Sequence, residues 1–260
     1  MANRLAFSKM SGAGNDFVLL EAKNPRGPWP KLARRLCDRR EGVGADGLLV
    51  LSKTAALYFN ADGSEAFCGN GARCAAWRLH QLGAPKAFTF SLSGSPLKAR
   101  ITGREKVAIA MPRPHSIRMG LTLKAAGKDF LVHALDTGVP HAVVEVADLA
   151  GFPVFDIGRA LRRHKAFAPN GANVNFIAIK RGAVAIRTYE RGVEDETLAC
   201  GTGATASALA AHLLGRAASP TRVLARGGEL TISFKKTGPG FDDVWLEGPA
   251  RVVYIGEISA

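Results

Sequence analysis

The sequence predicts an α+β fold of two pseudo-symmetric domains, each a mostly antiparallel β-sheet wrapped around a central α-helix. Three observations point there. Short β-branched or aromatic segments, bounded by turn residues, outnumber helical patterns. The mixture of many strands and few helices is the pattern of an α+β architecture. One sixteen-residue frame, opening on Cys-Gly-x-Gly and closing on glycine, occurs twice in the chain.

In chain order, strands are expected at Ala55–Phe59, Ala87–Leu92, Lys106–Ala110, Phe130–Leu135, Ala142–Val146 and Asn173–Ile179. Further strands are expected at Val184–Tyr189, Arg222–Ala225, Glu229–Phe234 and Val252–Ile255. Helical periodicity falls roughly over 29–40, 72–82, 156–164 and 204–214. The stretch Met111-Pro-Arg-Pro-His115 reads as an interdomain linker, because prolines favour extended chain. The expected division is an N-terminal domain over residues 1–114 and a C-terminal domain over 115–248. A last strand, 249–260, returns to the first domain.

The repeated frame is CGNGARCAAWRLHQLG from Cys68 to Gly83, and CGTGATASALAAHLLG from Cys200 to Gly215. Cysteine, both glycines of the opening, His80 with His212, Leu82 with Leu214, and the closing glycine align without a gap. The eleven residues between the opening and the closing glycine make about three helical turns. A glycine is a good helix stop. The second helix is apolar nearly all round, so it is expected to be buried on most faces. His80 and His212 fall late in their helices and read as structural residues.

A cysteine at a helix start carries chemistry for a physical reason. The helix N-terminus presents backbone N–H groups without partners in the helix and about half a positive charge. That environment favours a thiolate, and the same N–H groups can hold a carboxylate. A single such site suits a nucleophile or merely a buried small residue. Two equivalent sites suit a reaction in which one group removes a proton from a stereocentre and the other returns one to the opposite face. Cys37 and Cys74 lie inside helical patterns and read as core residues.

Composition narrows the class. Hydrophobic residues are 47% and charged residues 22%, as in an ordinary globular protein. No apolar run approaches the roughly 20 residues of a bilayer span, and the first residues lack a secretory signal pattern, so a cytoplasmic location is expected. Four cysteines are too few for a disulfide scaffold, and their spacing fits no zinc pattern. The net charge of +13 raises a nucleic-acid reading. The basic runs Lys31–Arg40 and Arg159–Lys165 read more simply as solvated faces of two amphipathic helices. They carry no interleaved aromatics of the kind that bind single strands.

Polar turns surround the cysteines. Lys9–Phe17 reads as a glycine-rich turn exposing Asn15 and Asp16, and Glu41–Gly47 as another. Asn60-Ala-Asp-Gly-Ser64 leads into Cys68, and Tyr189-Glu-Arg-Gly192 leads into Cys200. Glu190 and Arg191 suit recognition of a zwitterion. Asn173 and Asn175 read equally as turn or strand-edge residues. Thr137-Gly-Val-Pro-His141 places a histidine after a tight turn.

With these motifs in order, KMSGAGNDF, NADGSEAFCGNGAR, GANVNF and YERGVEDETLACGTGA, the chain resembles the diaminopimelate epimerase family over nearly its whole length. The resemblance implies two pseudo-symmetric domains with the site in the cleft between them. It implies an isomerase that converts LL- to meso-diaminopimelate, in lysine and peptidoglycan precursor synthesis, without pyridoxal phosphate, metal or other cofactor. Cys68 and Cys200 would be the acid/base pair. Gly69, Asn70, Gly201 and Thr202 would hold the reacting carboxylate, with Asn15 close by. Asn60, Asn173 and Arg191 would recognise the distal amino-acid end, helped by the carbonyls of Glu190 and Gly192. His141 and Glu190 would stand near the reacting amino group and the thiols.

Two residues depart from the family pattern. Val139 stands where members commonly carry an asparagine that binds the distal end, and Gly47 where some carry glutamine. Val139 keeps open another amino-acid racemase of the same fold. From a different class, the basic charge keeps open a nucleic-acid-binding protein. The partners implied are a small amino-acid substrate and a second copy of the chain in a homodimer, with no membrane.

Overall fold

The computed structural model describes residues 4–23 and 26–259. Its elements run β1 (Arg4–Gly12), β2 (Asn15–Glu21), α1 (Trp29–Cys37), β3 (Gly47–Leu51), β4 (Ala55–Asn60), α2 (Gly69–Gln81), β5 (Ala87–Leu92), β6 (Ser95–Gly103) and β7 (Lys106–Ala110). They continue with β8 (His115–Ala125), β9 (Lys128–Asp136), β10 (Pro140–Glu145), α3 (Val154–Arg162), β11 (Asn173–Lys180), β12 (Ala183–Glu190), β13 (Asp195–Thr197) and α4 (Gly201–Leu213). The last strands are β14 (Thr221–Ala225), β15 (Gly228–Thr237), β16 (Gly240–Pro249) and β17 (Arg251–Ser259). The chain divides into two units, Met1–Ile109 with Gly248–Ala260, and Ala110–Glu247.

The two units share one strand topology. In the first, β17 pairs antiparallel with β1, and β1 with β2. β2 runs parallel to β3, with α1 between them in the chain. β3 and β4 are antiparallel, β4 and β5 parallel across α2, and β5, β6 and β7 antiparallel in turn. In the second, β8 pairs antiparallel with β9, and β9 with β10. β10 runs parallel to β11 across α3, β11 antiparallel to β12, and β12 parallel to β14 across α4. β14, β15 and β16 close the series antiparallel. The sixteen-residue repeat is thus the centre of a much longer one. The strand that matches β8 in the first unit is the last of the chain, β17.

Burial explains the elements that periodicity did not expose. β3, Gly-Leu-Leu-Val-Leu, is buried at every position. Leu48 and Val50 join Ala33, Leu36 and Cys37 of α1 in one cluster. Leu49 lies on the opposite face, under the first turn of α2, 3.4 Å from where a Cβ on Gly71 would stand. A strand buried on both faces loses the alternation that marks a half-exposed one. The expected turn over Lys9–Phe17 is instead a hairpin of β1 and β2, with the turn confined to Ala13 and Gly14 at φ 53° and 89°. Both positive φ values match the twist of the flanking strands.

Helix ends also differ from the periodicity. α1 stops at Cys37 rather than near residue 40, because Asp38 turns out to φ −57°, ψ 125°. Its carboxylate accepts from the N–H groups of Arg40 and Glu41, both at 2.7 Å. α2 and α4 begin directly after the cysteines, at Gly69 and Gly201, a turn earlier than their apolar pattern. α1 buries Ala33, Leu36 and Cys37, and α3 buries Val154, Ile157 and Leu161. Their basic residues Lys31, Arg34, Arg35 and Arg159 lie exposed. No helix among the described residues is long and apolar enough to cross a membrane.

Candidate active site

In the first unit, Cys68 is the N-cap of α2. Its backbone is extended, φ −134°, ψ 114°, and Sγ accepts from the N–H of Gly71 at 3.4 Å. This is the bond that a serine or threonine cap makes. Asn70 in the same turn is 3% exposed and uses both ends of its carboxamide. Its Nδ2 donates to Asn15 Oδ1 at 2.6 Å, and its Oδ1 accepts from Arg73 Nη2 at 2.7 Å. The hairpin reaches this turn because Gly12 has no side chain. A Cβ there would lie 3.0 Å from Cys74 Sγ and 3.1 Å from Asn70 O. Asn15, Gly69, Asn70 and Cys68 are therefore assembled at one helix start.

Behind them stands a charged network. Asn15 Nδ2 donates to Asp46 Oδ2 at 2.8 Å, and Asp46 accepts from Arg39 Nη2 at 2.7 Å. Arg39 also forms a two-pronged pair with Asp16 at 3.1 and 2.9 Å. Lys9 bonds Asp16 at 2.8 Å and the carbonyl of Gly44. Burial alone would raise the Asp16 carboxyl, but Arg39 and Lys9 outweigh it and bring it to about 2. Asp16 is thus a support for the loop rather than an exposed ligand.

Asn60 closes β4. Its Oδ1 accepts from the Tyr58 hydroxyl and its Nδ2 donates to Ser64 Oγ, both at 2.9 Å. The Tyr58 ring meets Phe17 edge-on at 5.9 Å. It also fills the space beside Gly47, where a Cβ would fall 2.4 Å from Tyr58 Cε2 and 2.7 Å from Phe59 O. Glycine at 47 is therefore the partner of tyrosine at 58.

The second unit repeats the plan with different contacts. Cys200 caps α4 at φ −116°, ψ 112°, and is 7% exposed. Its Sγ lies 3.4 Å from Thr202 Oγ1. The carbonyl of Thr202 accepts from Thr137 Oγ1 at 2.9 Å, which ties the Thr137–His141 turn to the first turn of α4. Val139, in that turn, is half-buried and its carbonyl accepts from Thr137 N–H at 3.2 Å. His141 stands opposite Asn173 in the parallel register of β10 and β11. Asn173 Oδ1 accepts from the N–H of Arg191 at 2.7 Å. Burial raises the Glu190 carboxyl.

Asn175 lies at the centre of this unit, fully buried. Its carboxamide contacts His141, the carbonyl of Ala142, and Thr188. A Cβ on Gly203 would stand 2.3 Å from Asn175 Oδ1. The last glycine of Cys200-Gly-Thr-Gly203 is set by that side chain. Asn173 and Asn175 were the signal for it, since polar residues two apart share one face of a strand. Asp46, Arg73, Thr137 and Tyr58 carried no comparable signal: Asp46 and Thr137 lie in the chain just outside β3 and β9, Arg73 in α2 and Tyr58 in β4, and only the folded contacts of each unit show their partners.

The other repeated residues are structural. His80 Nδ1 lies 2.7 Å from Ala84 O, and His212 Nδ1 lies 3.0 Å from Ala217 O, each fixing the loop after its helix. Cys37 and Cys74 are buried thiols, both pushed up to about 12 by burial.

Comparison with known proteins adds one decisive observation. The family model described as diaminopimelate epimerase matches residues 7–116 and 133–253. The chain belongs to the diaminopimelate epimerase family. A relative of that name from Chlorobaculum tepidum is 43% identical, over 96% of this chain and 100% of its own. Another, from Hydrogenobaculum, is 38% identical over 98% and 99%. Among solved structures, a phenazine biosynthesis protein of Bacillus anthracis superposes with a TM-score of 0.76 at 13% identity, covering 98% and 99% of the two chains. A probable proline racemase from Agrobacterium radiobacter gives 0.72 at 16%, covering 98% and 92%. At such identities the likeness is one of fold.

Proposed function

We propose that the chain is a diaminopimelate epimerase that interconverts the LL and meso forms through Cys68 and Cys200. One observation carries the reading beyond family membership. The two units have the same strand order, and each starts its central helix with a cysteine at the N-cap. One thiolate removes the α-proton, and the other thiol returns a proton to the opposite face. The roles exchange in the reverse direction, as a nearly symmetric reaction requires. Carbanion character develops next to the α-carboxylate. The N–H groups of Gly69, Asn70, Gly201 and Thr202, at the positive ends of α2 and α4, are suited to stabilise it.

Recognition of the distal amino-acid end falls to Asn60, Asn173 and Arg191, with the carbonyls of Glu190 and Gly192. Asn15 supports the reacting end through Asn70. The chemistry needs an acid, a base and a carboxylate clamp, so no cofactor or metal is assigned a step. The enzyme serves lysine and peptidoglycan precursor synthesis, in the cytoplasm, as a homodimer, and has no role in nucleic-acid binding.

The test is α-hydrogen exchange in heavy water under reducing conditions. Deuterium should enter both LL- and meso-diaminopimelate, with interconversion of the two. Absence of exchange with either would overturn the substrate assignment. Val139 favours one second reading, a different amino acid at the distal subsite. In a panel of amino acids, faster exchange into one without a distal zwitterion would select it.

A further inference from the structure

Arg73, in the second turn of α2, is fully buried. Among the described residues, every hydrogen-bond partner of its guanidinium is neutral. Nη2 donates to Asn70 Oδ1 at 2.7 Å, Nη1 to the carbonyl of Gly69 at 3.5 Å, and Nε to the carbonyl of Pro249 at 3.4 Å. Arginine is almost never buried without an anion, because an uncompensated charge is costly in the interior. Burial brings this guanidinium down to about 10, so it stays charged at neutral pH. The titratable groups whose charge bears on it are two thiols, those of Cys74 and Cys68. Cys74 cannot supply the anion, since burial pushes its thiol up to about 12. Cys68 can, being half-buried at the N-cap of the same helix.

The other charges around this helix start are paired or exposed. β1 and β2 bring Lys9 and Asp16, and the chain before β3 brings Arg39 and Asp46. Ion pairs of 2.7 to 2.9 Å join these four. β3 carries no charge, and β6, which also packs on α2, leaves Lys98 and Arg100 exposed. Asp62 and Glu65 before Cys68, and Arg251 after Pro249, are exposed as well. At the far end of α2, Arg78 pairs with Glu21 at 2.6 Å.

The repeat shows that a cysteine-capped helix does not need this cation. In α4 the residue that matches Arg73 is Thr205, also fully buried. Its hydroxyl donates to the carbonyl of Gly201 at 3.0 Å, and Cys200 caps α4 all the same.

We propose that Arg73 is a positioning residue of the reaction: its buried charge favours the thiolate of Cys68, and its short bond to Asn70 fixes the turn that Cys68 opens. That bond orients the carboxamide, so that Asn70 Nδ2 meets Asn15. The inference rests on the proposed function, because an ionised Cys68 is what that reaction uses as a base.

The experiment is alkylation of the full, reduced chain by iodoacetamide without substrate, over a range of pH, with the Cys68 peptide followed by mass spectrometry. The midpoint of its rate against pH reports the thiol. In the unmodified chain it should lie below the ordinary thiol value of about 8.5. Arg73→Met keeps the bulk and removes the charge. Its midpoint should rise by about one pH unit, roughly a tenfold slower reaction at neutral pH. Arg73→Lys keeps the charge and should stay near the parent. An unchanged midpoint in folded Arg73→Met, or one as high in Arg73→Lys as in Arg73→Met, would overturn the proposal. Should Arg73→Met not fold, the unmodified chain still decides: a Cys68 midpoint at or above the ordinary value would overturn it.

The pH dependence of diaminopimelate exchange is the second arm. In Arg73→Met the acidic limb should move up with the alkylation midpoint, so that the deficit shrinks as pH rises. An equal deficit at every pH would reduce Arg73 to packing and overturn the proposal. If the unmodified chain exchanged no diaminopimelate proton, the functional reading would fail, while alkylation still reported the effect of Arg73 on Cys68.

Discussion

Gly71 and Gly203 are the same residue of the repeat, yet alanine should act on them in opposite directions. At Gly71 an added Cβ would meet Leu49 at 3.4 Å, Cys68 Cβ at 3.5 Å and Phe17 at 3.6 Å, all ordinary contacts. Alanine is the better helix former by up to about 1 kcal/mol. Gly71→Ala should therefore leave stability unchanged or raise it by that amount. At Gly203 the Cβ would stand 2.3 Å from Asn175 Oδ1 and 3.2 Å from Cγ. The carboxamide is held by Ala142, His141 and Thr188, so it cannot move without leaving a buried group unpaired. Each such loss costs about 1–3 kcal/mol, and overpacking a dense site costs a similar amount. After the helix gain, Gly203→Ala should be destabilised by about 1–3 kcal/mol. A compensating shift of the first turn of α4 by about 1 Å would lower turnover by about a hundredfold. Urea denaturation of the two variants side by side measures the difference. A Gly203→Ala protein as stable as Gly71→Ala would refute the contact between Asn175 and α4.

Three further outcomes follow from the same structure. Alkylation of the native protein should spare Cys37 and Cys74, whose thiols burial holds near pH 12, and mass mapping of their carbamidomethylation would contradict this. Tyr58→Phe should weaken substrate binding and cost about 1–3 kcal/mol of stability, because Asn60 Oδ1 loses its donor; an unaltered KM would detach Tyr58 from the distal subsite. Between the unfolded histidine value near 6.5 and the folded value of about 3 for His141, the unfolded chain binds more protons. Stability therefore falls as pH drops through that window, by up to about 1.4 kcal/mol per unit from this group. The His141→Gln variant should lose less stability between pH 7 and pH 5 than the parent. Equal losses would show that His141 is not held neutral.

The sequence alone was informative where a pattern is local. Many strands declared themselves as β-branched or aromatic segments between turn residues, and the two cysteine helices by repetition, whereas the half-exposed β6 and β8 were not expected. β3 escaped because both of its faces are buried, with Leu48 toward α1 and Leu49 toward α2. The β1–β2 hairpin was obscured by its glycines, although only Ala13 and Gly14 turn. Supporting residues such as Asp46 and Thr137 sit just outside β3 and β9 and bond to Asn15 and Thr202 far along the chain, which no local spacing reveals. Asn175 was visible as a polar residue in an apolar strand. Its purpose appeared only once β11 was set beside β10, β12 and α4. The match of Gly47 with Tyr58 is likewise a contact between neighbouring strands, and it explains in packing terms a glycine that looked like a departure.

The central claim concerns the pair of cysteines that open α2 and α4. Cys68→Ala and Cys200→Ala, each folded and reduced, should be assayed for epimerisation of diaminopimelate from both the LL and the meso side. Each variant should lose full epimerisation in both directions, because each face of the stereocentre depends on its own sulfur. Near-normal turnover by either single variant would contradict the account.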